Sequence, residues 1–123
     1  MVAARGILRG HVYLVQLDPT RGSEIKKTRP CVVVSPDELN AHLSTATVAP
    51  MTSAGRPYPF RVACRFANKS GHIVTDQLRT VDKDRLIRHL GKLTPETFAR
   101  VLSVLQEMFA PLPVEMRRRS RGG

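Results

Sequence analysis

Arg29 stands where a polar loop, residues 18–28, meets a short apolar stretch. Pro30 and the run Cys-Val-Val-Val at 31–34 follow it and predict a buried strand. A guanidinium carries five donors in a rigid fork that matches phosphate, so an arginine at the end of a strand is suited to bind a phosphate group. The same local pattern also fits a solvent-exposed charge at a strand edge, and it leaves both interpretations open.

Other polar side chains also follow predicted strands at their ends. Ser23, Glu24, Lys26 and Lys27 come after the first strand, Thr52, Ser53 and Arg56 after the third, and Asp76 and Gln77 close the fifth. In a small barrel such strand ends can converge on one site, and loops held by rigid strands are common places for function. Spacing alone does not show that they meet.

More familiar catalytic and metal-binding patterns are missing from the sequence. There is no GxSxG, HExxH or Walker sequence. A two-histidine ribonuclease mechanism is open in principle, because histidine titrates near neutral pH. The four histidines lie far apart in the chain, however, and each is expected to face solvent: His11, His42, His72 and His89.

The two cysteines, Cys31 and Cys64, lack CxxC spacing and are expected to be buried reduced thiols. Asp82 and Asp84 lie in Asp-Lys-Asp-Arg, which is more typical of a solvated turn than of a metal site. The sequence therefore predicts neither a metal nor another cofactor.

Positive charge is the strongest global feature of the chain. Its 20 Lys and Arg residues outnumber 10 Asp and Glu residues, giving a formal charge of +10. Without the four arginines of the segment 117–121 the charge is still +6, from 10 minus 4. A basic body rich in arginine favours a polyanionic partner such as nucleic acid. Aromatic residues make up only 5% of the chain, which argues against a face of stacked aromatics.

Hydrophobic patterning predicts six short strands, at 11–17, 31–35, 45–51, 58–66, 72–78 and 86–93. The segment 81–85 is expected to be a connector. Ser35 is predicted to cap a short helix that follows it, and Thr94 a long one that begins at Pro95. In the long helix Phe98, Val101, Leu102, Leu105 and Phe109 recur at helical spacing, which indicates core packing. Five or six strands and one C-terminal helix predict a small barrel-like antiparallel sheet with a helix on one side.

At 123 residues the chain is expected to form one domain, residues 1–113, followed by a basic disordered tail, residues 114–123. No apolar run approaches the ~20 residues of a membrane span, and residues 1–10 lack a signal-peptide core. We expect a protein of the cytoplasm that has no contact with membranes.

Several segments, in this order, resemble the MazF/PemK-type toxins of bacterial type II toxin–antitoxin systems. They are Arg-Gly-His-Val-Tyr-Leu-Val at 9–15, Asp-Pro-Thr-Arg-Gly-Ser-Glu at 18–24, Thr-Arg-Pro-Cys-Val-Val-Val-Ser at 28–35, Val-Ala-Pro-Met-Thr-Ser at 48–53, Tyr-Pro-Phe at 58–60 and Asp-Gln-Leu-Arg-Thr-Val-Asp at 76–82. The resemblance covers nearly all of residues 9–110. It implies an SH3-like barrel with a C-terminal helix, in agreement with the strand pattern.

The resemblance also implies a homodimer that cleaves single-stranded RNA at a short sequence without a metal ion, leaving 2′,3′-cyclic phosphate and 5′-hydroxyl ends. By this resemblance Arg29 and Thr52 are the catalytic residues, and Glu24, Arg56 and Gln77 contact RNA. Ser23, Lys26, Lys27 and Ser53 are further candidates for RNA binding. A cognate antitoxin with an acidic, poorly ordered segment is implied as a partner, which suits a chain of charge +10.

Two other functions remain open from the sequence. One is a non-enzymatic toxin of the same fold that inhibits DNA gyrase, although such relatives lack the pairing of Arg29 with Thr52. The other is a basic nucleic-acid-binding module without catalysis, which would bind in a salt-dependent way and release no product.

Overall fold

The computed structural model describes residues 6–17, 28–53 and 58–112. Its elements in chain order are β1 (His11–Gln16), β2 (Thr28–Val33), α1 (Asp37–His42), β3 (Thr45–Thr52), β4 (Val62–Phe66), β5 (Lys69–Ile73), β6 (Arg79–Asp82), β7 (Leu86–Lys92) and α2 (Pro95–Met108). Single 3₁₀ turns at Thr75–Gln77 and Lys83–Arg85 flank β6. The prediction of a mainly β fold with one long C-terminal helix is confirmed.

All strand pairs in the described ranges are antiparallel, and six strands follow one another in the order β4-β5-β3-β2-β1-β7. The sheet curls into a half-barrel. Strand β3 is central to the sheet, because it pairs with three other strands. One edge of β3 pairs with β2, while the other pairs first with β6 and then, from Met51 onward, with β5.

Alternation along the strands divides the core into two clusters on opposite faces of the sheet. The first contains Tyr13, Val15, Cys31, Val33, Val48, Val81 and Leu86. The second contains Val12, Val32, Ala49, Met51, Val62 and Ile73, together with Leu93 and Val101. Helix α2 covers the second cluster, so the first face is free of α2 and carries the polar residues described below.

Helix α2 begins as its sequence predicts. Thr94 is the N-cap, and its side chain accepts a hydrogen bond from the Thr97 N–H, while Pro95 occupies the first helical position. Phe98, Val101 and Leu105 pack into the second cluster. The prediction is wrong for Phe109, which is 73% exposed beyond the end of the helix, and for Leu102, because Val104 packs against the cluster instead.

Several predicted boundaries are also wrong. The second strand runs from Thr28 to Val33 instead of 31–35, so it includes Arg29. The fourth strand begins at Val62, because Phe60 has a φ of +67° that breaks the extended backbone. The fifth strand begins at Lys69 and ends at Ile73, since a two-residue turn at Ala67 and Asn68, both with positive φ, closes the β4–β5 hairpin. The predicted connector at 81–85 contains part of β6 and a 3₁₀ turn.

Ser35 does not cap α1. Its hydroxyl donates to the Asn40 side-chain oxygen at 2.6 Å and accepts from the Thr47 N–H at 3.0 Å. Pro36 occupies the N-cap position instead, with no side-chain cap. Buried Ser35 and Asn40 thus tie α1 to β3, because both polar groups need partners inside the protein.

Candidate functional site

Arg29 and Thr52 lie on neighbouring strands and on the same face of the sheet. The last β2–β3 pair is Cys31 with Pro50, and Arg29 and Thr52 each lie two residues beyond it on their own strands. Side chains two residues apart on a strand share a face, and directly paired residues do too. Arg29 and Thr52 therefore continue the face that carries Cys31, at the rim of the first core cluster.

At this rim, Arg29 and Thr52 are paired with residues of different strands. Arg29 is paired with Val15 of β1, and Thr52 is paired with His72 of β5. Pro50 has no N–H to donate, which fits the end of the β2–β3 pairing at this residue. Both side chains are half-buried, so each is held by the sheet yet accessible from solvent.

A second arginine, Arg79, was not singled out as a site residue from the sequence. It pairs with Val48 on the far edge of β3, and Val48 shares a face with Thr52. Burial raises the pKa of the Cys31 thiol to about 12, and the positive charges of Arg29 and Arg79 act in the opposite direction. Both guanidinium groups thus lie close enough to Cys31 to influence the pKa of its thiol. The raised pKa keeps Cys31 protonated at neutral pH and unsuited as a nucleophile.

An open groove of about 510 Å³ adjoins the end of β3. It is lined by Ser53, Ala63, Cys64, Ser70, Gly71 and His72. Ser53 is exposed on its wall, and its role in RNA binding stays a prediction. Burial raises the pKa of the Cys64 thiol, so this cysteine is also a poor nucleophile. Cys31 is buried as predicted, whereas the prediction is wrong for Cys64, which is only half-buried; both are free thiols.

Gln77 is exposed at the end of the 3₁₀ turn between β5 and β6, both of which pair with β3. Its neighbour Asp76 accepts two hydrogen bonds from the Arg61 guanidinium, at 2.9 and 3.1 Å. These bonds lower the pKa of the Asp76 carboxyl. Asp76 therefore stabilises the turn through its hydrogen bonds with Arg61, while the Gln77 side chain faces solvent next to it.

The remaining predicted substrate-binding residues lie outside the described residues: Ser23, Glu24, Lys26, Lys27 and Arg56. Their roles stay predictions. Within 6–17, 28–53 and 58–112 no three His, Cys, Asp or Glu side chains are grouped as a metal site would need. In the same ranges no helix is long and apolar enough to cross a membrane.

A family model described as PemK-like, MazF-like toxin of type II toxin–antitoxin system matches residues 8–109. The chain belongs to this family. The resemblance drawn from the sequence is thereby confirmed.

Curated members of the MazF family include close relatives of the chain. Endoribonuclease MazF9 of Mycobacterium tuberculosis is 36% identical over 109 residues, which are 80% of this chain and 92% of that protein. Endoribonuclease toxin MazF of Escherichia coli is 33% identical over 88 residues, or 71% of this chain and 79% of that protein.

Solved MazF-family structures confirm the predicted fold. An endoribonuclease from a mycobacterial species, in complex with its cognate antitoxin, is 28% identical with a TM-score of 0.72, and the match covers 87% of this chain and 99% of that one. MazF from Deinococcus radiodurans is 27% identical with the same TM-score, over 84% and 96% of the two chains. The curled sheet and the C-terminal helix are thus the family's own architecture.

Proposed function

We propose that this chain is a MazF-type endoribonuclease toxin. It cleaves single-stranded RNA at a short sequence, without a metal ion, to 2′,3′-cyclic phosphate and 5′-hydroxyl ends. The observation that carries the proposal is the placement of Arg29 and Thr52 on one face of the sheet, two residues beyond the Cys31–Pro50 pair. Relatives that are named endoribonucleases support the same reaction.

The reaction has the ribose 2′-hydroxyl attack the adjacent phosphorus, which passes through a negatively charged phosphorane. The Arg29 fork and the Thr52 hydroxyl are donors that can face this charge together. Both come from a rigid sheet, so they need little reorganisation when charge develops. Removing one donor of this kind typically costs about 2.7–4 kcal/mol. Arg79 adds a second positive charge on the same face.

Proton transfer completes the mechanism. The departing 5′-oxygen needs a donor, a role that we assign to Arg29 together with its electrostatic one. A guanidinium has a pKa above about 12, so Arg29 is poorly suited to accept the 2′-hydroxyl proton. A carboxylate is better suited to this role, so Glu24 is one candidate acceptor beside its expected contact with RNA.

RNA binding is assigned to polar and basic residues around this pair. Ser53 and Gln77 are exposed near β3, and Ser23, Glu24, Lys26, Lys27 and Arg56 belong to the two segments that precede β2 and follow β3. The net charge of +10 attracts the phosphate backbone. Binding should accordingly weaken as salt increases.

We further assign a homodimer and a cognate antitoxin in the cytoplasm. One related endoribonuclease was solved with its cognate antitoxin. An acidic, poorly ordered antitoxin segment would be attracted to a chain of charge +10.

Incubation with a long single-stranded RNA in EDTA, with mapping of both new ends, tests the reaction. We expect cuts at one short sequence, with 2′,3′-cyclic phosphate and 5′-hydroxyl ends. RNA that stays intact in EDTA but is cut with Mg²⁺ would refute the metal-independent mechanism.

A further inference from the structure

His72 lies directly opposite Thr52 on the neighbouring strand. The two residues are paired in the β3–β5 ladder, and His72 is paired on its other side with Ala63 of β4. Adjacent strands lie about 5 Å apart, so the two side chains are neighbours. His72 is half-buried and lines the groove that also contains Ser53.

Residues next to His72 show which way its ring faces. Met51, Val62 and Ile73 all belong to the cluster beneath α2. Thr52, Ala63 and His72 alternate with them along their strands, so they face the other side of the sheet. That side is also the face of Arg29, since Arg29 and Thr52 share it. Arg29, Thr52 and His72 therefore form a row across β2, β3 and β5.

The other three histidines are engaged elsewhere. The Nδ1 atom of His11 lies 2.8 Å from Nε2 of His89, and Nδ1 of His42 lies 2.8 Å from the carbonyl oxygen of Glu38. The carboxylate of Asp76 is occupied by Arg61. In the described part of the chain, His72 alone offers an uncommitted imidazole on the face of Arg29 and Thr52.

We propose that His72 is a catalytic residue that accepts the 2′-hydroxyl proton, an inference that rests on the proposed ribonuclease function. Imidazole exchanges protons near neutral pH, which suits general base catalysis. In this assignment His72 supplies the base that Arg29 is poorly suited to be, and Glu24 is left to read the RNA sequence.

His72 and Arg29 together carry out the proton transfers of the cleavage reaction. The 2′-oxygen gives its proton to an imidazole nitrogen of His72 and forms a bond to phosphorus. The bond from phosphorus to the 5′-oxygen then breaks, and Arg29 protonates that oxygen. His72 returns its proton to water, and Arg29 recovers one from water.

Single-turnover cleavage of an RNA oligonucleotide containing the mapped cut site tests this role. His72→Ala should slow cleavage by about 10²–10⁴-fold, the usual contribution of a general base, with RNA affinity unchanged. His72→Gln, which keeps a polar side chain, should be equally slow. Added imidazole should restore part of the rate of His72→Ala and none of the rate of Arg29→Ala, with RNA and imidazole alone as a blank. His42→Ala is the matched histidine control and should cleave at the wild-type rate.

The outcomes separate this proposal from the function on which it rests. If the wild-type protein does not cleave RNA, the ribonuclease proposal fails and this assignment fails with it. Wild-type cleavage with an equally fast His72→Ala overturns the role of His72 alone. The role is also overturned if His72→Ala cleaves slowly and added imidazole does not raise its cleavage rate. A loss of RNA affinity as large as the loss of cleavage rate would overturn it too. If Glu24→Gln instead shows the full loss, the base is Glu24.

Discussion

A Cβ atom at Gly71 would overlap the carbonyl oxygen of Thr52 and lie 2.9 Å from its carbonyl carbon. Strand β5 therefore approaches β3 closely at the residue to which we assign a catalytic hydroxyl. A side chain at position 71 would push on the backbone that carries Thr52 and Ser53, because the Cα of Ser53 would be only 3.1 Å away.

Gly71→Ala should displace Thr52 and reduce cleavage by about 100-fold, since a shift of about 1 Å at a reacting group has an effect of that size. We expect the melting temperature to fall by several degrees while the protein stays folded at the assay temperature. Single-turnover cleavage and thermal unfolding, measured together, check this. Lys69→Ala, an exposed position on the same strand, is the control. If Gly71→Ala cleaves RNA at the wild-type rate, the prediction is wrong, because the backbone then accommodates the methyl group without displacing Thr52.

Thr52→Ala should lower the cleavage rate by about 10²–10³-fold at saturating RNA and leave the dissociation constant nearly unchanged. The hydroxyl is expected to act on the phosphorane, so its loss affects the transition state more than the bound substrate. Rates and RNA affinities measured on one oligonucleotide separate the two effects. Thr47→Ala is the matched control, because Thr47 lies on β3 with its side chain on the opposite face. If the dissociation constant for RNA rises enough to explain the whole loss of activity, Thr52 binds RNA and does not stabilise the transition state.

Local chemistry was enough to predict much of the fold. Thr94 and Pro95 start α2, and the apolar spacing after them identifies its buried side. The apolar run 31–34 predicted a strand that the structure contains, although β2 begins at Thr28 and Arg29 is its second residue. These features depend on neighbours in the chain, so a single sequence contains their signals.

The rest depends on contacts between distant residues. The turn before β5 lies at Ala67 and Asn68, whereas Gly71 lies within β5 and permits its close approach to Thr52. The pairing of Thr52 with His72 and the placement of Arg79 beside Val48 are set by strand registers. Nothing in the local pattern around His72 distinguishes it from the other histidines.

Asp76→Asn should destabilise the protein slightly at pH 7, lowering the melting temperature by no more than about 4 °C, because the pair with Arg61 is partly exposed. The hydrogen bonds from Arg61 lower the folded-state pKa of Asp76. Their stabilising effect is therefore present above the unfolded-state pKa of about 3.9 and is lost as the pH falls through the lower folded-state value.

Thermal unfolding from pH 7 down to pH 3 should accordingly show the wild-type and Asp76→Asn curves converging at the acid end. Asp84→Asn removes an exposed carboxylate from the other 3₁₀ turn and is the control. A difference that stays constant with pH would mean that Asp76 supports the turn by something other than its charge.

The most direct test of the account is the single-turnover cleavage rate of Arg29→Ala at saturating RNA, beside Arg29→Lys and Arg88→Ala. Arg88 is exposed on β7, so its removal takes away the same charge from a different place. We predict a loss of at least about 10²–10³-fold for Arg29→Ala, incomplete recovery in Arg29→Lys because an ammonium lacks the guanidinium fork, and a wild-type rate for Arg88→Ala. Cleavage by Arg29→Ala at the wild-type rate would contradict the assignment of the active site to the rim of β2 and β3.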